Sequence, residues 1–268
     1  MVFPNLIIYS MNKLLFMGRK SYGAQALEWC VENGWDVVAV VTDDHQETSP
    51  TANIARKFGL NLLDYDSFVE KIDSNLLEFD LAVSYVYWKI LKKPLIQIPK
   101  LGILNFHPAP LPELRGTGGF NLAILENHET FGVTVHYMDE GIDTGPVVEV
   151  DRFPIDAKSE TAQSLEKKSH EKMVELFKKT LNRVQKEGIL PSEKMTGGRH
   201  LSRKEMEELK NIQPGDDVDA KIRAFWFPPY DGAYIEISGK KYTLVNRTIL
   251  EQLDGDPEAL FRHTQKGS

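Results

Sequence analysis

What most constrains this chain is a regular alternation of two kinds of segment over its first hundred residues. "NKLLFMG" (12–18), "WDVVAVVTD" (35–43), "DLAVSYV" (80–86) and "GILNFH" (102–107) are short aliphatic and β-branched runs with few charges. Such runs suit strands covered on both faces, the usual state of a parallel sheet. Between them lie helical patterns closed by glycine: "YGAQALEWCVENG" stops at Gly34 and "ANIARKFG" at Gly59. "NLLDY" reads as a further short strand and "SFVEKIDSNLLEF" as a helix. The alternation predicts an α/β, Rossmann-like fold: an open, mostly parallel sheet with helices on both faces. Ligands in such folds bind outside the carboxyl ends of the strands, where "GILNFH" delivers Asn105 and His107.

After residue 118 the pattern changes. "GGFNLAILENH" (118–128) reads as a helix, and "GVTVHYM" (132–138) and "GPVVEVDRFPI" (145–155) as strands. These strands are too close together for a crossover helix, so antiparallel or edge pairing is expected. A long amphipathic helix follows over 161–188 and stops at Gly188. From about 192 the chain turns to short helical pieces, Pro-Gly and Pro-Pro breaks and aromatics, then "AYIEISGKKYTLV" (233–245), a hairpin signal around Ser-Gly. The expected organisation is therefore an extension over 1–10, a main catalytic domain over 11–191, and a small C-terminal α+β accessory region over 192–268. Met11 and "NKLLFMG" look like the natural start of the first strand, and "MVFPNLIIYS" lacks the basic region and cleavage site of a signal peptide.

Composition narrows the class of partner. Cys30 is the single cysteine, so no intramolecular disulfide can form; this fits a reducing, cytoplasmic setting and a buried apolar role. A net charge of −7 offers no electrostatic case for nucleic acid, and no apolar run approaches the roughly 20 residues that span a bilayer. None of the histidines sits in HExxH or at ligand spacing with cysteine, so no metal is expected.

Two motifs carry chemistry. The first, "LGILNFHPAPLPELRGTGG" (101–119), places Asn105 and His107 at the start of a loop stiffened by Pro108, Pro110 and Pro112. The second, "VTVHYMDEGIDTGP" (133–146), ends a strand with Asp139, Glu140, Gly141, Asp143 and Gly145. An acid brought beside His107 would raise its basicity. In "GRKSYG" (18–23), Gly18 allows a tight turn after the first strand, and Arg19, Lys20 and Ser21 at a helix N-terminus suit either that turn alone or a phosphate.

Together, "NFHPAPLPELRG" and "GVTVHYMDEGIDTGPVV" resemble the folate-dependent formyltransferase superfamily, over roughly residues 12 to 190. The resemblance implies transfer of a formyl group from N10-formyltetrahydrofolate to an amine, with Asn105, His107 and Asp143 as the catalytic residues. In that scheme Asn105 and protonated His107 donate to the developing oxyanion, His107 moves the amine proton, and Asp143 orients the imidazole. It places the pterin pocket at "SYVYWKIL" (84–91), with Tyr85, Val86, Tyr87, Ile90 and Leu104 around it and the Asp139 and Gly141 loop reading its edge. Tyr87 and Trp88 replace a small residue of the family pattern. Arg115 and Gly116 take the place of an "RG" near the acceptor.

The compact tail resembles that of sugar-nucleotide N-formyltransferases, which implies an acceptor such as a dTDP-linked 4-amino- or 3-amino-dideoxysugar used for surface polysaccharide. Methionyl-tRNA formyl transfer with a reduced C-terminal domain is the alternative. Phe225, Trp226, Phe227 and Tyr230 either pack on the core, form a homodimer interface through the C-terminal region, or stack on a nucleotide base.

Overall fold

The structure is a computed structural model that describes residues 13–253. The extension read over residues 1–10 lies outside the described residues. The chain runs β1 (Lys13–Gly18), α1 (Lys20–Glu32), β2 (Asp36–Val41), α2 (Pro50–Lys57), β3 (Leu62–Leu63), α3 (Tyr65–Asp73) and β4 (Leu81–Tyr85). It continues through β5 (Ile103–His107), β6 (Leu114–Gly116), α4 (Gly119–Leu125), β7 (Thr130–Tyr137), β8 (Val147–Pro154) and α5 (Ala162–Glu187). A seven-stranded sheet has the order β3-β2-β1-β4-β5-β7-β8. The first five strands in that order are parallel, whereas β7 is antiparallel to both β5 and β8. The expected mostly parallel sheet with later antiparallel pairing is thus the observed one.

Strand alternation divides the core in two. Leu14, Phe16, Val83, Tyr85, Leu104 and Phe106 face α1 and α5, where Phe177 sits 4.8 Å from the Phe106 ring and 5.8 Å from that of Tyr85. Leu15, Met17, Ala82 and Ile103 face the other way, toward Phe68 and Ile72 of α3. Cys30 is wholly buried in the first layer, and that burial pushes its thiol pKa up, as suits an inert apolar residue. α5 begins with a reciprocal capping box between Thr161 and Ser164, which fixes the start of the longest helix among the described residues.

The C-terminal region comprises β9 (Arg199–Leu201), α6 (Arg203–Leu209), α7 (Val218–Phe225), the hairpin β10 (Tyr234–Ile237) and β11 (Lys240–Thr243), and α8 (Arg247–Leu253). It packs back on the main sheet. Leu201, Ala224 and Phe225 join Leu122, Ala123, Phe131 and Leu165 in a third apolar cluster. Phe225 is therefore a core residue, the first of the three roles open to these aromatics; α7 turns it inward, and it is only 3% exposed. Trp226 and Phe227 are half-buried, and Tyr230 stays 69% exposed. Among the described residues no helix is long and apolar enough to cross a membrane.

Candidate active site

Positions 103, 105 and 107 of β5 share one face, because successive side chains in a strand point to opposite sides. Asn105 and His107 therefore look away from the α1–α5 layer that takes Leu104 and Phe106. The antiparallel pairing sets Asn105 opposite His136 and His107 opposite Thr134. Thr134 Oγ1 accepts from the Leu111 amide at 3.0 Å and donates to the Ala109 carbonyl at 2.8 Å, which ties down the proline-rich loop beside His107.

Asp143 reaches this face from the loop between β7 and β8. That loop is closed on itself. Asp139 Oδ1 accepts from the Gly141 amide at 3.0 Å and from Thr144 Oγ1 at 2.6 Å. A Cβ at Gly145 would lie 1.8 Å from the Tyr137 carbonyl oxygen, so no larger residue fits there. Asp143 itself adopts φ +50°, a left-handed conformation that carboxamide and carboxylate residues tolerate better than most.

The resulting network fixes most proton positions. The Leu114 carbonyl can only accept, so His107 Nε2, 3.1 Å away, carries a hydrogen. His107 Nδ1 lies 3.5 Å from Asp143 Oδ2 and is the ring position left to gain or lose a proton. The same carboxylate oxygen accepts from the Gly116 amide at 2.9 Å. His136 Nδ1 donates to the Tyr137 carbonyl at 2.9 Å, which leaves Nε2 to accept from Asn105 Nδ2 at 3.0 Å. Asn105 Nδ2 also donates to Asp143 Oδ1 over a longer 3.4 Å. Both amide hydrogens are engaged, and the longer bond is the one that a substrate oxygen can replace.

Electrostatics follow from burial and these contacts. Burial alone would raise the Asp143 carboxyl, but His107, His136 and the Gly116 amide outweigh it and hold the group at about 2. Asp143 is thus an anion at any working pH. His107 is pushed below its ordinary value because it is buried; the Asp143 charge and the Leu114 carbonyl pull the other way. The ring is neutral at rest with a carboxylate waiting beside it, an arrangement suited to accepting a proton transiently and passing it on.

The three residues expected to be catalytic therefore stand together. His136 was not among the expected site residues, although it is 2% exposed and completes the Asn105–Asp143 network. Its signal was present: it alternates with Thr134 at the end of a strand that leads directly into the acidic loop. The roles of Leu114 and Gly116 had no signal beyond "RG", since β6 is three residues long and lacks periodicity.

Two pocket expectations need correction. Tyr85 and Leu104 are fully buried on the α1–α5 face, the opposite parity from Asn105 and His107, so their side chains cannot wall a ligand on the catalytic face. Val86, the residue after β4, has a left-handed conformation, φ +54°, and Tyr87 keeps a buried hydroxyl with no partner. Ile90 is half exposed and lines a pocket of about 770 Å³ with Tyr65, Val69, Lys92, Lys93 and Leu95, which contains none of the catalytic residues. Arg19 and Lys20 already have acidic neighbours: Arg19 Nε is 3.0 Å from Asp43 Oδ1 with its guanidinium 4.6 Å over Trp88, and Lys20 Nζ is 2.9 Å from Glu166. Ser21 is exposed. Arg115 gives one hydrogen bond to the Gly198 carbonyl at 3.2 Å and retains a buried Nε without a partner. Among the described residues, no group of three or more His, Cys, Asp or Glu side chains could hold a metal ion.

A buried imidazole–carboxylate pair beside a carboxamide, at the carboxyl end of β5 in an open α/β sheet, is equipped to move a proton and to stabilise developing negative charge. The family is then plain: a formyl transferase model matches residues 12–181, and the chain belongs to the formyl transferase family. It is 30% identical over 241 residues to a methionyl-tRNA formyltransferase of Parvibaculum lavamentivorans, covering 84% of this chain and 76% of that protein. Its fold is similar to that of an N-formyltransferase from Helicobacter canadensis solved with folinic acid and dTDP-3-aminofucose. There the TM-score is 0.71, with 24% identity and 86% of each chain covered. A 4-N formyltransferase from Francisella tularensis aligns with a TM-score of 0.74 at 20% identity, over 88% of this chain and 97% of that one.

Proposed function

We propose that this enzyme moves a formyl group from N10-formyltetrahydrofolate to the amine of a nucleotide-linked amino-deoxysugar, in the cytoplasm and for surface polysaccharide synthesis. The observation that carries the formyl-transfer chemistry is the Asn105–His107–Asp143 network, with one exchangeable amide hydrogen and one exchangeable imidazole site. The folate donor supplies an activated formyl group. The chain has features that fit it: the unpaired buried Tyr87 hydroxyl, the strained turn at Val86 and the closed Asp139–Asp143 loop lie in the segments that follow β4 and β7.

Asn105 Nδ2 donates to the carbonyl oxygen as charge develops on it, exchanging the long bond to Asp143. One preorganised donor of this kind contributes about 3–4 kcal/mol in comparable sites. His107 Nδ1 takes up the proton lost by the attacking amine and returns it to the leaving nitrogen. Asp143 Oδ2 stabilises the imidazolium while that proton is held. No covalent bond to the chain forms.

Support for a sugar-nucleotide acceptor comes from extent. Two solved sugar N-formyltransferases align over 86% and 97% of their own length, whereas two methionyl-tRNA formyltransferases match over 76% and 85% of theirs. Arg115, with a buried donor to spare beside Gly116, suits a pyrophosphate. Exposed Tyr230, Ile237 and Tyr242 on the C-terminal region support a homodimer formed through it. The second reading, methionyl-tRNA as acceptor, is favoured by the 30% identity to those enzymes.

The deciding experiment is turnover of N10-formyltetrahydrofolate against a panel of dTDP- and UDP-amino sugars, with initiator methionyl-tRNA alongside. Consumption with one amino sugar and none with tRNA is expected. Transfer to tRNA instead would replace the acceptor assignment and leave the catalytic one standing.

A further inference from the structure

The formyl transferase match ends at residue 181, yet the catalytic pair is gripped from beyond it. Both partners of that pair reach their places through β6: His107 through the Leu114 carbonyl, and Asp143 through the Gly116 amide. β6 does not belong to the seven-stranded sheet. Among the described residues its strand partner is β9, which pairs with it in parallel and sets Leu114 beside Arg199 and Gly116 beside Leu201.

The grip is dense for three residues. The Arg199 amide donates to the Glu113 carbonyl at 3.0 Å. The Leu201 carbonyl accepts from the Thr117 amide at 3.3 Å and from Thr117 Oγ1 at 3.2 Å. Arg115 Nη2 donates to the Gly198 carbonyl at 3.2 Å. The His200 ring lies over Gly116: a Cβ there would be 2.9 Å from both Cδ2 and Nε2. Leu201 is buried in the third apolar cluster, so β9 is itself anchored.

We propose that β9, Arg199–Leu201, is a positioning element of the active site, which holds β6 in the register that sets His107 against Asp143. The proposal rests on His107 and Asp143 performing formyl transfer, but it does not depend on which amine is the acceptor. A strand of the C-terminal region thereby becomes part of the catalytic apparatus of the core, and displacement of that region is felt at the imidazole. Misplacing a catalytic group by about 1 Å costs on the order of a hundredfold in rate.

The test uses the whole protein with two kinds of change. Gly198 has φ +83°, and a Cβ on it would lie 1.6 Å from the Pro112 carbonyl oxygen, so Gly198→Ala pushes β9 off β6. Thr117→Val, with Thr117→Ser as its rescue, removes one side-chain bond without adding bulk. The first readout is the ¹⁵N signature of the His107 imidazole with no substrate present; amide exchange at Thr117 and Arg199 reports whether the strands have parted. The second is kcat against KM with the acceptor identified by the panel.

The expected result is faster exchange at both amides, a changed His107 signature, and kcat down by about tenfold or more in Gly198→Ala with KM within about twofold. Thr117→Val should lose about two- to tenfold in kcat, and Thr117→Ser should restore it. Parted strands with an unaltered His107 signature and unaltered kcat would overturn the proposal. Because the ¹⁵N readout needs no substrate, that failure is distinct from an error about the sugar nucleotide.

Discussion

Replacing Asp143 by Asn keeps the shape of the side chain and removes its charge, which makes it the sharpest test of the mechanism. The structure gives the scale. Contacts to His107, His136 and the Gly116 amide hold the carboxyl at about 2 against an ordinary 3.8, despite burial that works the other way. At about 1.4 kcal/mol per pH unit, the site favours the anion by about 2–3 kcal/mol more than water does. The share of that preference owed to His107 comes into play when the imidazole takes up its proton. In Asp143→Asn the imidazolium loses its counter-ion in a buried site, and kcat should fall by about a hundredfold or more. His107 should also titrate lower still, since its largest upward influence has gone. Single-turnover formyl transfer measures the first effect, and imidazole NMR titration the second. Turnover within about threefold of the unmodified enzyme would refute the role given to this carboxylate.

Other expectations follow from the same geometry. Glu166, held at about 2 by His170 and Lys20 against its own burial, stabilises the fold above its ordinary 4.5, and that contribution is lost as pH falls toward 2. Glu166→Gln should therefore cost about 2–3 kcal/mol at pH 7 and flatten the acid limb of stability, as read by urea unfolding across pH. Arg115→Lys should raise KM for the acceptor several-fold and leave KM for the formyl donor unchanged; equal effects on both would remove Arg115 from acceptor binding. Phe225→Ala should lower unfolding free energy by about 3–5 kcal/mol by denaturant titration, because the side chain fills the seam between α7 and α4.

The fold was legible because its signal is periodic. Aliphatic runs at β1, β2, β4 and β5, the first three separated by helices of which α1 and α2 are closed by glycine, allow few architectures, and the close spacing of β7 and β8 excludes a crossover. Asn105, His107 and Asp143 were legible because two chemically loaded loops stand out against that background. Tyr85 and Leu104 were misplaced for want of a parity argument: each sits at an odd step from the catalytic face, and alternation sends it into the α1–α5 core. His136 could have been found by the same argument run forward from Thr134. The β6–β9 pairing was beyond reach, since three-residue strands separated by more than 80 residues leave no pattern in the chain.

The closed loop between β7 and β8 has a consequence for the energetics of turnover. Its two ends are joined by the Tyr137 amide bonding the Pro146 carbonyl at 2.9 Å, and its start is pinned by the Met138 amide on the Ile103 carbonyl at 2.8 Å. With Asp139 bracing the interior, the carboxylate of Asp143 is held in place with its dipolar surroundings already aligned. Water would have to reorient around a charge that forms during reaction, whereas this site has oriented its groups during folding. The reorganisation energy is met once, when the chain folds, and is not demanded again at each catalytic cycle.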